Sequence, residues 1–194
     1  MEEIVPMSSD RFSAIIRIGG TVTRARLYPD DPNDDTTILG GLVGALHEDG
    51  ASHEYGASHE YGDRAIDANF NSDFGLAGYL DDGILTLKAD FGEFSETEQF
   101  CIEHDIAFDR WSDHYGDYDG ENVYFRPGMN APLVTYTNSR GEEIVDGETV
   151  REALAKLHAT EPSLVLIDEA KRLLREACPP LPVDLPKFST SIRP

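Results

Sequence analysis

"IAFDRWSDHYGDYDGENVYFRPG", residues 106–128, predicts a β-hairpin around which the rest of the fold is arranged. Apolar and aromatic residues from Ile106 to Trp111 begin a strand, because β-branched and aromatic side chains favour the pleated conformation. Asp117–Gly120 has the composition of a turn, and residues 122–126 return as a second strand. We therefore expect two neighbouring antiparallel strands here.

Acidic residues recur through this hairpin at odd-numbered positions. Between residues 90 and 121 there are eleven Asp and Glu residues, and Arg110 is the only base. Strand residues two or four apart share a face and lie about 7 or 13 Å apart. Because each DNA strand carries one charge per about 3.4 Å, two rows of such carboxylates would approximate phosphate spacing. The acids of this parity are Asp109, Asp113, Asp117, Asp119 and Glu121.

The whole chain is strongly acidic, and the excess lies in its middle. It has 194 residues, 37 acidic and 16 basic, for a formal net charge of −21. Residues 30–150 contain 28 of the acids and 5 of the bases, and most of the aromatic residues. Disordered acidic tails are poor in aromatic residues, so we expect this charge on folded structure. Such a field repels nucleic acid and anionic membranes and attracts cationic partners.

Length and cysteine usage limit the class of protein. A chain of this length corresponds to one domain, with or without an appendage. No apolar run approaches the length of a membrane span, and the N-terminus does not resemble a signal peptide. Two cysteines far apart in sequence, Cys101 and Cys178, do not suggest a disulfide scaffold. We predict a soluble, reduced, cytoplasmic protein.

The remaining pattern predicts an α+β fold with a mostly antiparallel sheet and packed helices. Residues 11–28 suggest a hairpin turning at Gly19–Gly20, and residues 83–94 and 132–145 are strand-like. Two helices are expected before residue 106, one capped by Asp35 or Thr36 and one by Ser95.

Three regions follow from this pattern. Residues 1–150 are predicted to form the acidic α+β domain. Residues 151–178 have apolar residues at helical spacing, and we expect a helical segment that packs on the domain or serves in dimerisation. Residues 179–194 are rich in proline, which predicts an extended tail.

A six-residue unit is repeated three times, as HEDGAS, HEYGAS and HEYGDR, from His47 to Arg64. Imidazole and carboxylate groups are good metal ligands. Histidines six apart lie on opposite sides of a helix, and in a strand the outer pair is about 20 Å apart. Only a coiled loop with turns at the glycines could gather His47, His53 and His59 around one ion. We interpret the repeat as a tandem duplication in a surface loop, with a weak metal site as the alternative.

No catalytic motif stands out. The chain has no nucleophile elbow, P-loop, His-Glu-x-x-His or Gly-x-Gly-x-x-Gly sequence. Cys101 and His104 share a helix face, but the neighbouring acids would raise the pKa of the thiol and disfavour a thiolate nucleophile. The acidic runs 30–35 and 117–121 lack EF-hand spacing. We therefore predict a protein that is not an enzyme, without cofactor or required metal.

In size and acid load, residues 30–150 resemble phage and plasmid anti-defence proteins that mimic DNA, of the antirestriction and anti-CRISPR type. The resemblance is one of composition and transfers no individual residue. It implies an inhibitor in the host cytoplasm that occupies a basic nucleic-acid-binding protein or complex, without binding nucleic acid or membrane itself.

The leading hypothesis is accordingly such an inhibitor, with contacts on the hairpin. The predicted partner-binding residues are Asp109, Trp111, Asp113, Tyr115, Asp117, Tyr118, Asp119 and Glu121. The aromatic members are of the kind that dominates binding energy at interfaces. One alternative is an immunity-type binding module directed against a basic protein. The other is a metal-dependent hydrolase that uses the His–Glu repeat.

Overall fold

A computed structural model describes residues 13–25, 27, 37–51, 80–90, 94–159 and 163–191. Within these ranges the strands are β1 (Ser13–Gly19), β2 (Thr21–Thr23), β3 (Leu80–Asp81), β4 (Ile84–Asp90), β5 (Ala107–Ser112), β6 (Gly120–Phe125), β7 (Leu133–Thr137), β8 (Glu143–Ile144) and β9 (Ser189–Ser191). The helices of the same ranges are α1 (Ile38–Glu48), α2 (Ser95–Glu103), α3 (Gly147–Leu157) and α4 (Leu164–Ala177).

Seven strands form one sheet in the order β3-β4-β1-β5-β6-β7-β8. Every neighbouring pair in it is antiparallel, which confirms the predicted α+β class with a mostly antiparallel sheet. Strand β5 is the middle strand, between β1 and β6. The hairpin predicted over residues 106–128 therefore lies at the centre of the sheet.

The main core lies between the sheet and helices α1 and α2. Ile18 is paired with Leu85 on one side and with Phe108 on the other, and Phe108 lies opposite Phe125 with 5.9 Å between ring centroids. All four side chains are buried, and each such burial contributes about 1.5–3 kcal/mol. The helices complete this cluster with Leu39, Leu42, Leu46 and Cys101.

The predicted hairpin over residues 11–28 is wrong. Strand β1 pairs with β4 and β5, whereas β2 pairs in parallel with β9 in a separate two-stranded sheet. At Gly19 a side chain would collide with the carbonyl oxygen of Pro186, and the Gly20 amide donates to that oxygen at 3.1 Å. The two glycines thus let the chain pass close to the C-terminal segment and leave the sheet, instead of reversing beside β1.

Helix α2 is capped by a residue distant in sequence. Both oxygens of Asp49 accept backbone hydrogen bonds from α2, from Glu96 N at 3.2 Å and from Thr97 N at 2.8 Å. Ser95, the predicted cap, is instead the first helical residue. Asp49 itself lies at the end of α1, whose N-cap is Thr37. One carboxylate therefore joins the end of one helix to the start of the next.

The first copy of the sequence repeat takes part in this junction. His47 and Glu48 end α1, and Gly50 adopts φ of +66°, which turns the chain after Asp49. The second and third copies, with His53 and His59, lie outside the described residues. The predicted cap of α1 at Asp35 or Thr36 is wrong, because the Thr37 side chain caps this helix by accepting from the Gly40 amide.

Helices α3 and α4 pack against each other in a small cluster of their own, formed by Ala153, Ala170 and Leu173. Asp146 caps α3 and Ser163 caps α4 through side-chain hydrogen bonds. Lys156 bridges the two helices by an ion pair with Glu169 at 3.2 Å. None of the helices within the described ranges is long and apolar enough to cross a lipid bilayer.

After α4 the chain lies along the ends of the strands. Phe188 is buried, and its amide donates to the Gly83 carbonyl at 2.7 Å. The Ser189 amide donates to the Gly20 carbonyl at 2.9 Å, next to the start of β9. The C-terminal segment thereby closes the end of the sheet where β1 finishes.

The shared cap gives a testable consequence. Replacing Asp49 by Ala removes the acceptor for two helix amides, so we expect unfolding free energy to fall by about 1–2 kcal/mol. Urea denaturation measures the change. Glu48→Ala is the matched control, since it removes an equal charge from the exposed neighbouring position and should stay within about 0.5 kcal/mol of the parent. Equal effects of the two substitutions would contradict the capping role.

Candidate partner-binding surface at the hairpin tip

The connection between β5 and β6, residues 113–119, is here called the tip. It begins at a fixed point, because the Asp113 amide donates to the Ser13 carbonyl at 3.1 Å and the Ser13 hydroxyl donates to the Asp113 carboxylate at 2.8 Å. It then folds into a tight turn in which Tyr115 and Tyr118 exchange backbone hydrogen bonds of 3.1 and 3.0 Å. Gly116 permits the turn with φ of +60°.

This turn displays aromatic and acidic side chains to solvent. Tyr118 is 75% exposed and Tyr115 is 49% exposed. Asp113, Asp117 and Asp119 are also exposed. The structure thus brings together five of the eight residues that the sequence predicts for partner binding. The tight turn lies at residues 115–118, two residues earlier than the sequence suggests.

Asp109 does not belong to this display. It is only 8% exposed, and its carboxylate forms an ion pair with Arg126, with 2.6 Å between Asp109 Oδ1 and Arg126 Nη1. Arg126 is held in turn by the carbonyls of Phe108, Phe125 and Val183. The prediction that Asp109 points outward is wrong. This residue lies on the middle strand of the sheet, and Arg126 compensates its negative charge inside the fold.

Glu121 is likewise engaged by an internal cation. Arg110, 7% exposed, forms an ion pair with Glu98 of α2 at 2.7 Å and a second, very close one with Glu121 of β6. Its Nη1 also donates to Ser112 at 3.1 Å. The single base of the acidic stretch therefore ties α2 to the central hairpin, which corrects the expectation that Glu121 offers an unpaired charge to a partner.

Burial dominates the electrostatics around Arg110. Desolvation raises the pKa of the Glu98 carboxyl, and this effect outweighs the lowering by Arg110. Cys101 lies on the same helix in the core, where burial and then the Glu98 charge raise the pKa of its thiol well above the usual range. A thiol so placed is unsuited to act as a nucleophile.

Trp111 is half-buried, unlike the exposed Tyr115 and Tyr118 of the tip. The Arg17 guanidinium lies 5.9 Å from its ring centroid, a cation–π contact from the β1 side. On the β6 side Trp111 lies opposite Asn122, and burial raises the pKa of the nearby Tyr124 hydroxyl. Trp111 is therefore a fixed wall of the surface beside the tip.

A cleft of about 640 Å³ opens between the tip and the turn that joins β7 to β8. The turn is ordered by Asn138, whose side-chain oxygen accepts from the amides of Arg140 at 2.9 Å and Glu142 at 3.0 Å. Next to the lining residues Ser112 and Thr137 the chain needs glycine at position 120, since a Cβ there would collide with the Thr137 hydroxyl and lie 2.9 Å from the Ser112 carbonyl oxygen. The cleft is lined by Trp111, Ser112, Asp113, His114, Asn122, Thr137, Asn138, Ser139 and Gly141.

The sequence did not indicate the cleft or the roles of Arg110 and Arg126. The sequence did contain evidence for the role of the arginines. Asp109 stands among apolar residues in a predicted strand, and a buried carboxylate needs a cation to compensate its charge. No such signal existed for the cleft, which depends on the approach of a loop from β7–β8. Comparisons of the chain with protein-family models, curated proteins and solved structures find no match.

Metal ligands do not gather in the part of the chain that the structure describes: it contains no group of three or more His, Cys, Asp or Glu residues placed to hold an ion. His47 is exposed at the end of α1. The predicted alternative that combines it with His53 and His59 falls on residues outside the description and stays a prediction.

The paired acids predict a pH-dependent defect. Arg110→Ala should lower unfolding free energy by about 3–5 kcal/mol near neutral pH, because it leaves Glu98 and Glu121 without their cation. The loss of stability should become smaller toward about pH 4.5. Burial raises the folded-state pKa of Glu98 above its unfolded value, so this carboxyl takes up a proton in the folded state as the pH falls and no longer needs the cation. Denaturation at both pH values measures this.

Two further variants test whether lost charge compensation causes the destabilisation by Arg110→Ala. Glu98→Gln added to Arg110→Ala should recover part of the stability at neutral pH, because one stranded charge is removed. Arg140→Ala, in an exposed turn, should have little effect. A loss that is equal at both pH values and is not relieved by Glu98→Gln would show that packing, and not charge compensation, accounts for Arg110.

Proposed function

We propose that this chain is a non-enzymatic inhibitor that binds the cationic surface of a nucleic-acid-binding protein or complex, of the CRISPR or restriction type, through its tip. The observation that carries the proposal is a tight, anchored turn that presents Tyr115 and Tyr118 beside three exposed carboxylates. Tyrosine supplies large contact area with a polar end, and it is frequent among the residues that dominate interfaces.

The order of the tip supports a binding role. Its turn is closed by two backbone hydrogen bonds, and its start is bonded twice to Ser13. A loop already fixed in one conformation loses less entropy when a partner binds. Both tyrosines also leave aromatic surface open to solvent, where a partner can reach it.

Charge would act at longer range. A net charge of −21 steers a cationic partner toward the chain and accelerates association at low salt. Asp113, Asp117 and Asp119 concentrate this field at the tip. With Asp109 and Glu121 compensated internally, contact would rest on three carboxylates and two tyrosines in place of a continuous row of phosphate mimics.

A second candidate is an immunity-type module that binds a basic protein without imitating nucleic acid. The internal pairing of Asp109 and Glu121 favours it, because it leaves a compact acidic and aromatic patch where phosphate mimicry would need a longer row of free carboxylates. Duplex DNA should displace the chain from its partner under the first candidate and should leave the complex intact under the second.

We propose that the C-terminal helices form a second contact surface, used for dimerisation. We retain the three regions expected from the sequence, with 151–178 as a helical segment and 179–194 as an extended tail. Leu164, 80% exposed, and Val165, 74% exposed, begin α4 without covering neighbours in the described structure. Residues 147–177 carry six acids and five bases, so a second copy of the chain would meet little repulsion there. Sedimentation equilibrium would distinguish such a homodimer from a monomer.

The tip is tested by a triple substitution, Asp113→Asn, Asp117→Asn and Asp119→Asn. Capture of partners from native host lysate, followed by surface plasmon resonance with the recovered protein, provides the measurement. We expect association to slow about tenfold or more and its salt dependence to flatten, because electrostatic steering acts on the association rate.

The matched control removes three exposed acids elsewhere, as Asp168→Asn, Glu176→Gln and Asp184→Asn. Both triple variants have the same net charge, so only a local role of the tip separates them. Loss of capture in the control alone would transfer the contact to the C-terminal surface, and equal behaviour of the two variants would refute the assignment to the tip.

A further inference from the structure

The cleft beside the tip has the lining of a site for a cationic group. Of the residues that line it, Asp113 carries a carboxylate and none is Lys or Arg. Glu142 is exposed in the adjoining turn. Arg140 also belongs to that turn, but its side chain is exposed and does not line the cleft. A positive charge that entered would therefore meet the Asp113 carboxylate, with His114 as the one lining residue able to carry a positive charge itself.

The shape of the lining favours a planar cation. The Trp111 indole lines the cleft. Its ring already takes the Arg17 guanidinium at 5.9 Å from the centroid, so it is suited to a planar cation. The Asp113 carboxylate uses one oxygen for Ser13, and a carboxylate has about four acceptor sites, so it can accept further bonds. Asn122, Thr137 and Ser139 add side-chain oxygens around the same space.

We propose that the cleft receives the guanidinium of an arginine side chain from the partner. Guanidinium stacks on aromatic rings and bonds carboxylates in a fork, whereas the lysine ammonium is a more strongly hydrated point charge. A volume of about 640 Å³ exceeds one side chain and leaves room for the neighbouring peptide backbone. This inference rests on the proposed function, and it specifies which residue type of the partner lies next to the tip.

Trp111 makes the site directly measurable, because it is the only tryptophan of the chain and it lines the cleft. The probe is a short peptide with acetylated and amidated ends that contains one arginine between glycines. Two matched peptides carry lysine, or citrulline, the neutral isostere of arginine. Tryptophan fluorescence of the full chain is titrated with each, and the side-chain amide signals of Asn122 and Asn138 are followed by NMR.

The expected result is a saturable change with the arginine peptide that is at least about tenfold weaker with citrulline and weaker with lysine. Asp113→Asn should weaken arginine binding about tenfold, while its amide oxygen can still accept the bond from Ser13. Asp184→Asn, exposed on the C-terminal segment, should bind as the parent does. Equal responses to arginine and citrulline, or no response of Trp111, would overturn the proposal.

Failure of this inference and failure of the proposed function give different results. If the tip binds the partner but the cleft is not an arginine site, the triple tip variant loses capture while the arginine peptide gives no saturable change in Trp111 fluorescence. If the tip is not the contact, the triple variant captures the partner as well as its control. A chain that binds the arginine peptide but fails to capture a basic partner would support the cleft and contradict the inhibitor role.

Discussion

A carboxylate can be buried only if a cation or several hydrogen-bond donors compensate it, and bases are scarce in the middle of this chain. Residues 88–150 contain fifteen acids and four bases. Two of those bases, Arg110 and Arg126, are placed on the central hairpin, where they hold Glu98, Glu121 and Asp109. The sheet therefore accommodates an acidic sequence by placing Arg110 and Arg126 inside the fold.

The same constraint decides which acids reach the surface. Asp113, Asp117 and Asp119 form no ion pair among the residues that the structure describes, and they lie on the exposed tip. There the turn at Tyr115–Tyr118 fixes their position, and the contact with Ser13 ties the tip to β1. The acids of this region thus fall into two groups. Glu98, Asp109 and Glu121 are paired inside the fold and stabilise the hairpin, whereas the acids of the tip are exposed and display charge.

The sequence was informative about this hairpin and about the class of fold. Aromatic and β-branched residues predicted the strands on either side of residues 113–119, and alternation elsewhere predicted an antiparallel sheet. The alternation of residues did not predict exposure, because it cannot reveal strand order. Asp109 lies in the middle strand, where it is buried and paired with Arg126. Local rules failed for the same reason at Ser95, where Asp49 caps the helix from 46 residues away, and at Gly19–Gly20, where the C-terminal segment intervenes. Contacts between distant residues determine each of these outcomes.

Carboxyl modification by a carbodiimide and an amine, read by mass spectrometry with and without the captured partner, tests the central claim most directly. In the free chain, Asp117 and Asp119 should react readily and Asp109 slowly, because only the last is buried in an ion pair. In the complex, the tip should become protected while Asp168 and Glu176 of α4 keep their reactivity. Tip carboxylates that react equally in both states, or an Asp109 as reactive as Asp117, would contradict this division of the acids.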